Sequence, residues 1–175
     1  FGAVAQAVPL PTVAYNIPGR TGVNMAPATL ARIAAAYPNV FAVKEASGSL
    51  EQVSETFAVC PKGFTVLSGD DSLTVPMMAL GAKGVISVLS NVLPKESAKM
   101  VAAALKGDFK SAAAWHLRLL PLMRALFVET NPIPVKAAAA LLGFGSAEPR
   151  LPLTPATAAT RAALKSAWKK AGLRL

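Results

Sequence analysis

Short apolar runs separated by helical stretches constrain this chain more than any other feature. Residues 12–16, 40–44, 64–68 and 84–88 are β-branched or apolar without clean alternation. That is the pattern of strands buried on both faces. Between them the spacing predicts helices. Pro27 suits a first helical position, with Leu30, Ile33 and Ala34 on one side of residues 27–36. Ser49-Leu50-Glu51-Gln52 reads as a capping box for a helix ending near Cys60-Pro61. Asp70 or Asp71 opens a third helix, with Pro76 tolerable in its first turn. Alternating strands and helices of this kind imply an α/β fold with a parallel sheet and right-handed crossovers.

After Val88 the strand pattern stops. Helices are expected over 95–105, 108–127, 133–142 and 155–171, separated by Gly107, Asn131-Pro132 and the proline-rich stretch 149–155. Met100, Leu105, Leu119, Leu120, Leu122, Met123, Leu126 and Phe127 recur at helical spacing and are expected in a core, with Trp115 and Trp168 as packing anchors. The chain thus divides into a βα portion, 1–107, and a helical domain, 108–175. Four parallel strands cannot close a barrel.

Composition excludes several classes. A chain of 175 residues, 53% hydrophobic, can bury a substantial core and is no disordered segment. Its apolar runs are interrupted by Lys, Gly or Pro before the roughly 18 residues a membrane span requires. Cys60 has no partner for an internal disulfide, and no Cys/His cluster suggests zinc. A cytoplasmic protein without metal or cofactor is the expectation, since no leader is visible. The net charge of +9 raises nucleic-acid binding. Arg161, Lys165 and Lys169, with Lys170 and Arg174 beside them, form a stripe on the last helix, yet no aromatic residues interleave as a stacking platform. A solvated helix face accounts for that stripe, with a modest steering of anionic substrates besides.

Lys44 closes an otherwise apolar strand, and Tyr15 ends the strand before it. An amine buried at a strand end loses hydration of its charged form, and a neutral amine is the nucleophile that Schiff-base chemistry on a ketone requires. A phenol on a neighbouring strand is placed to move protons. The same positions also suit a lysine marking the strand's exit into water and a core tyrosine bonded to a carbonyl.

The segments Tyr15-Asn16-Ile17-Pro18-Gly19-Arg20-Thr21-Gly22, Lys44-Glu45-Ala46-Ser47-Gly48, Ser68-Gly69-Asp70-Asp71 and Gly84-Val85-Ile86-Ser87-Val88, in that order, resemble the dihydrodipicolinate synthase family. Glu129 to Lys136 and Arg150-Leu151-Pro152-Leu153 are similar to the family's helical tail, so the resemblance runs from Pro11 to the C-terminus. These are class I, lysine-dependent pyruvate aldolases on a TIM (β/α)8 barrel. The resemblance implies strands five to eight, the C-terminal half of such a barrel, followed by an α-helical domain. Residues 1–10 would then end the helix before strand five.

By the same resemblance, Lys44 forms the Schiff base with pyruvate and Tyr15 is the proton donor and acceptor. Arg20 would grip the carboxylate of aspartate semialdehyde, for which a guanidinium fork is suited. The alternative for Arg20 is a surface arginine on a loop. Gly69 and Ile86 would act through the main chain, Gly69 by permitting close approach. Asp70 and Asp71 resemble a metal pair or an acid–base dyad, but helix capping accounts for at least one of them. Glu45 alternates away from Lys44 along the strand. His116 reads as structural, and Asn131 as a candidate supporting group.

Two departures qualify the resemblance. The family's threonine pair and second tyrosine, from the other half of the barrel, have no counterpart here. Gly19 stands where serine is common. The function implied is condensation of pyruvate with aspartate semialdehyde, in a homotetramer built as a dimer of dimers. The alternatives are another pyruvate-linked lyase, of the N-acetylneuraminate, 2-keto-3-deoxygluconate or hydroxy-oxoglutarate type, or a basic binding module without catalysis. The isolated chain is expected to self-associate and to be inactive alone.

Overall fold

The computed structural model describes residues 1–173; Arg174, the last cation of the expected stripe, lies outside them. Two compact units are present, one ending at Ile86 and the next beginning at Ser87. This division precedes the 107/108 boundary expected from the sequence. The helix Pro94–Leu105, assigned there to the βα portion, packs instead on the helix Phe109–Ala125 that follows it.

The first unit runs α1 (Gly2–Ala7), β1 (Thr12–Asn16), α2 (Pro18–Thr21), α3 (Pro27–Ala36), β2 (Val40–Glu45), α4 (Leu50–Val59), β3 (Thr65–Ser68) and α5 (Thr74–Ala79), with a 3-10 turn at Asp71–Leu73 before α5. The sheet has the order β1-β2-β3, parallel throughout. Its rungs alternate between two faces. Ala14, Val43 and Val66 stand in one row and are at most 2% exposed. On this side α3 packs against β2 and α4, and α4 against α5. Leu30 of α3 and Val53 of α4, each 1% exposed, supply the core.

The expected fourth strand, residues 84–88, is reduced to an isolated bridge between Ser68 and Val85. The ladder bonds are nevertheless made. Lys83 N donates to Val66 O, Ser68 N to Gly84 O and Ile86 N to Ser68 O, at 2.8–2.9 Å. Two local features cut the run short. Gly84 takes φ +148°, a backbone open to glycine, and Ser87 Oγ accepts from Ser90 N, starting the 3-10 turn Leu89–Asn91.

Most helix starts follow from local chemistry. Pro27 occupies the first turn of α3, and Pro76 that of α5. Ser49 caps α4, its hydroxyl accepting from Gln52 N at 3.1 Å. Only half of that capping box forms, because the Gln52 amide points elsewhere. Asp70 precedes the 3-10 turn but provides no side-chain cap.

The second unit is helical: α6 (Pro94–Leu105), α7 (Phe109–Ala125), α8 (Ile133–Leu141) and α9 (Ala158–Lys170). Asp108 caps α7 through Ser111 N, and Thr157 caps α9 through Thr160 N. Glu129 reinforces the second cap by accepting from Thr157 N and from both threonine hydroxyls, and these bonds hold its carboxyl below the usual range. The core contains Met100, Leu119, Leu122, Met123, Leu126, Leu164 and Trp168. Leu105 and Phe127 are not in it, being 58% and 44% exposed. Leu105 is the last residue of α6, and Phe127 lies beyond the end of α7, where the helical periodicity no longer sets direction. Trp115 is half-buried, with the cations of Lys99 and Arg118 both over its ring. Arg161, Lys165, Lys169 and Lys170 are exposed on α9. Among the described residues no helix is long and apolar enough to cross a membrane.

Candidate active site

Parallel pairing sets Tyr15 beside Lys44 and Lys44 beside Leu67, one rung before the C-terminal end of each strand. Side chains on one rung of a sheet share a face. The Lys44 Nζ therefore lies over the Tyr15 ring, 4.1 Å from its centroid, within the range of a cation–π contact. Register decides this meeting: an irregularity between Thr12 and Val13 shifts the pairing before the site is reached.

This face is the more open one. Val13, Tyr15 and Ile86 are 36%, 43% and 44% exposed, Lys44 and Leu67 are half-buried, and small Ala42 is closed over. Gly69 backs the Lys44 stem. A Cβ added there would lie 3.2 Å from Lys44 Cε, 2.7 Å from Ala46 Cβ and 3.1 Å from Glu45 O. The absence of a side chain at 69 thus makes room for the lysine. Its N–H is bonded to Glu45 O at 2.7 Å.

Arg20 lies on the exposed turn of α2, in the loop that leaves β1. Ile86 presents an exposed side chain, and its N–H is committed to the sheet. The structure therefore brings Tyr15, Lys44 and Gly69 together, with Arg20 and Ile86 on neighbouring loop and strand ends. Asp70 is half-buried beyond β3. Burial and then the adjacent Asp71 push its carboxyl up, and a bond with Ser72 pulls it partly back. Among the described residues, no group of three or more His, Cys, Asp or Glu is placed to hold a metal ion. His116 lies in the second unit, on α7, where burial pushes its imidazole down. Asn131, also there, has a buried Oδ1 without a hydrogen-bond partner.

On the opposite face, the last rung is polar. Asn16, Glu45 and Ser68 stand in register and are 2%, 3% and 0% exposed. Glu45 points away from Lys44, as strand alternation requires. Its carboxylate accepts from Asn16 Nδ2 at 3.0 and 3.1 Å, Ser47 N at 2.6 Å and Gln52 Nε2 at 3.2 Å. This cluster escapes a reading of single strands. Its signal is a polar residue at the same place in three successive strands, together with a glutamine at the third position of α4.

An amine over a phenol, on the open face at the strand ends, can form an imine with a ketone and pass protons at the reacting carbon. The model of the dihydrodipicolinate synthetase family covers residues 1–171. The 4-hydroxy-tetrahydrodipicolinate synthase of Geotalea uraniireducens is 52% identical over 173 residues, which are 99% of this chain and 59% of that protein. The same enzyme of Geobacter sulfurreducens is 51% identical over 170 residues, 97% of this chain and 58% of that one. The crystal structure of dihydrodipicolinate synthase from Aquifex aeolicus matches with TM-score 0.94 at 47% identity, covering 99% of this chain and 59% of its own. The fold is thus that of an α/β enzyme of the TIM-barrel type, and the chain spans about three-fifths of the length of the curated relatives it matches. This chain belongs to the dihydrodipicolinate synthetase family.

Proposed function

We propose that this chain carries the Schiff-base site of a 4-hydroxy-tetrahydrodipicolinate synthase, condensing pyruvate with aspartate semialdehyde in the cytoplasm. The observation that carries the reading is the Lys44 amine 4.1 Å above the Tyr15 ring on the open face of the sheet. Lys44 Nζ adds to the keto carbon of pyruvate, and loss of water leaves an iminium. That group withdraws electrons from the neighbouring methyl, which gives up a proton to become an enamine. The enamine carbon attacks the aldehyde, and Tyr15 moves protons in these steps. Arg20 holds the aldehyde's carboxylate in two parallel bonds. Gly69 and Ile86 line the pyruvate pocket through their main chains.

In this reading the described sheet is the C-terminal half of the barrel, strands five to eight. Further βα units of the same polypeptide cover the open face and supply the remaining hold on pyruvate. Three observations support that arrangement: the parallel order without closure, the exposure of Val13, Tyr15 and Ile86, and the longer relatives. The chain alone is then inactive. The complete protein is a homotetramer; one structural relative is described as the first monomeric variant of its enzyme, which supports assembly as the ordinary state.

The test is borohydride reduction of the complete protein with pyruvate, followed by peptide mass spectrometry. The adduct is expected on Lys44. An adduct on another lysine overturns the assignment. Arg20→Ala should raise KM for aspartate semialdehyde roughly tenfold to a hundredfold, with pyruvate trapping intact, since a charged hydrogen-bonding pair is lost. Unchanged aldehyde kinetics would remove Arg20 from the site.

A further inference from the structure

The buried polar cluster beneath the last rung is not used by the chemistry above. We infer that Glu45 is a positioning residue whose carboxylate, through Asn16 and Gln52, fixes Tyr15, Lys44 and the Arg20 loop relative to one another. The inference rests on the reading of Lys44 and Tyr15 as the reacting groups.

Glu45 directly follows Lys44, and Asn16 directly follows Tyr15, so the Asn16–Glu45 bonds clamp the two backbones that carry the reacting side chains. The clamp is reinforced by Ala46 N donating to Asn16 O at 2.9 Å. Asn16 also closes the loop bearing Arg20. Its Oδ1 accepts from Met25 N at 3.0 Å, and its Nδ2 donates to Asn24 Oδ1 at 2.9 Å. Asn24 and Gln52 then pair reciprocally: Asn24 Nδ2 donates to Gln52 Oε1 at 2.8 Å, and Gln52 Nε2 to Asn24 Oδ1 at 3.2 Å. This is why Gln52 leaves the capping box of α4 half made.

The direction of every bond is fixed. Ser47 N and Met25 N are backbone donors and cannot be reversed. Met25 N holds the Asn16 oxygen on its side, so the Asn16 amide nitrogen must face Glu45. Turning Asn24 would set nitrogen against the Asn16 nitrogen, and turning Gln52 would break both of its bonds to Asn24. Glu45 therefore faces donors alone and must accept at both oxygens. Only a carboxylate does so. A buried anion is a poor source of stability compared with an apolar residue of similar volume. A fully satisfied polar network does hold one geometry, and the geometry held here is that of the site on the other face.

The complementarity predicts its own rescue. Glu45→Gln places an amide NH2 against a donor whichever way it turns. Gln52→Glu alone sets carboxylate against carboxylate. In the double variant Glu45→Gln/Gln52→Glu, the new amide at 45 donates to the new carboxylate at 52, which still accepts from Asn24 Nδ2; the same amide stays against Asn16 Nδ2 and the carboxylate against Asn24 Oδ1, so the rescue is partial. In the complete protein each single change should lower kcat about tenfold to a hundredfold, the cost of a misplacement near 1 Å, with KM for pyruvate changed less than about threefold. The double variant should recover part of that loss, with kcat about threefold or more above either single variant. Rates are normalised to the amount of Lys44 trapped by pyruvate and borohydride, so a loss of folded protein does not enter them. If Glu45→Gln does not fold, Gln52→Glu at its half-buried position carries the same test. Original kcat in the folded single variants, or a double variant no better than the singles, overturns the inference while normal trapping leaves the reading of the site intact. No pyruvate adduct on Lys44 in the unaltered protein removes that reading, and the inference with it.

Discussion

The two faces of the sheet divide the work of the first unit between them. On one, Ala14, Val43 and Val66 are shut beneath helices, and even the polar rung Asn16–Glu45–Ser68 is buried. On the other, the row holding Tyr15 and Lys44 remains accessible, with Val13 and Ile86 more than a third exposed. One residue step along β2 crosses from one to the other, from Val43 to Lys44 to Glu45. If Lys44 and Tyr15 react as proposed, stability and chemistry are separated by the pleat rather than by distance along the chain. The covered face can be optimised for packing, and the open face is left to hold groups that packing would not choose.

The sharpest way to break this division is at Lys44. Lys44→Met keeps the stem and removes the amine. It should reduce turnover of the complete protein by at least about 10^4-fold, because no other group forms the imine. Thermal unfolding of the 175-residue chain, in which this face is open, should change by no more than about 0.5 kcal/mol, as for substitutions outside the core. A large loss of stability would show that the open face also carries the fold. Next in size is Leu30→Ala on the covered side, at 1% exposure. It should cost about 2–5 kcal/mol in urea titrations, from lost burial and the cavity left behind. With trapping at Lys44 normalised to folded protein, its kcat should stay near the original. The smallest effect is expected at Val13. In the 175-residue chain by itself Val13→Ser should alter stability by no more than about 0.5 kcal/mol. Within the complete polypeptide the same change should cost about 1.5–3 kcal/mol if further strands cover that face. Equal values in the two settings would mean the face stays open.

The covered side was largely legible from residue types. Apolar runs give three of the four expected strands, and Pro27, Ser49 and Asp108 mark helix starts by local chemistry. The fourth strand was overestimated because an apolar run does not disclose where a glycine and a 3-10 turn end the pairing. The meeting of Lys44 with Tyr15 was legible only as two strand ends, since contact depends on register and register depends on an irregularity at Thr12. Glu45 shows the limit most clearly. Alternation correctly turns it from Lys44, but its three donors come from segments as far apart as Asn16 and Gln52, and no local pattern joins them.

Gly69 gives the open face a further property. Any Cβ there would press on Lys44 Cε, Ala46 Cβ and Glu45 O together. In a saturation library scored by growth, this position should reject every side chain, large or small, charged or neutral, while Ile86, with its exposed side chain, should accept several. Such a column of uniform intolerance resembles the profile of a ligand-contacting residue. Volume alone would produce it here, whatever the main chain touches: the residue that follows the third strand acts as a gauge for the lysine on the second, and the missing methyl sets the clearance.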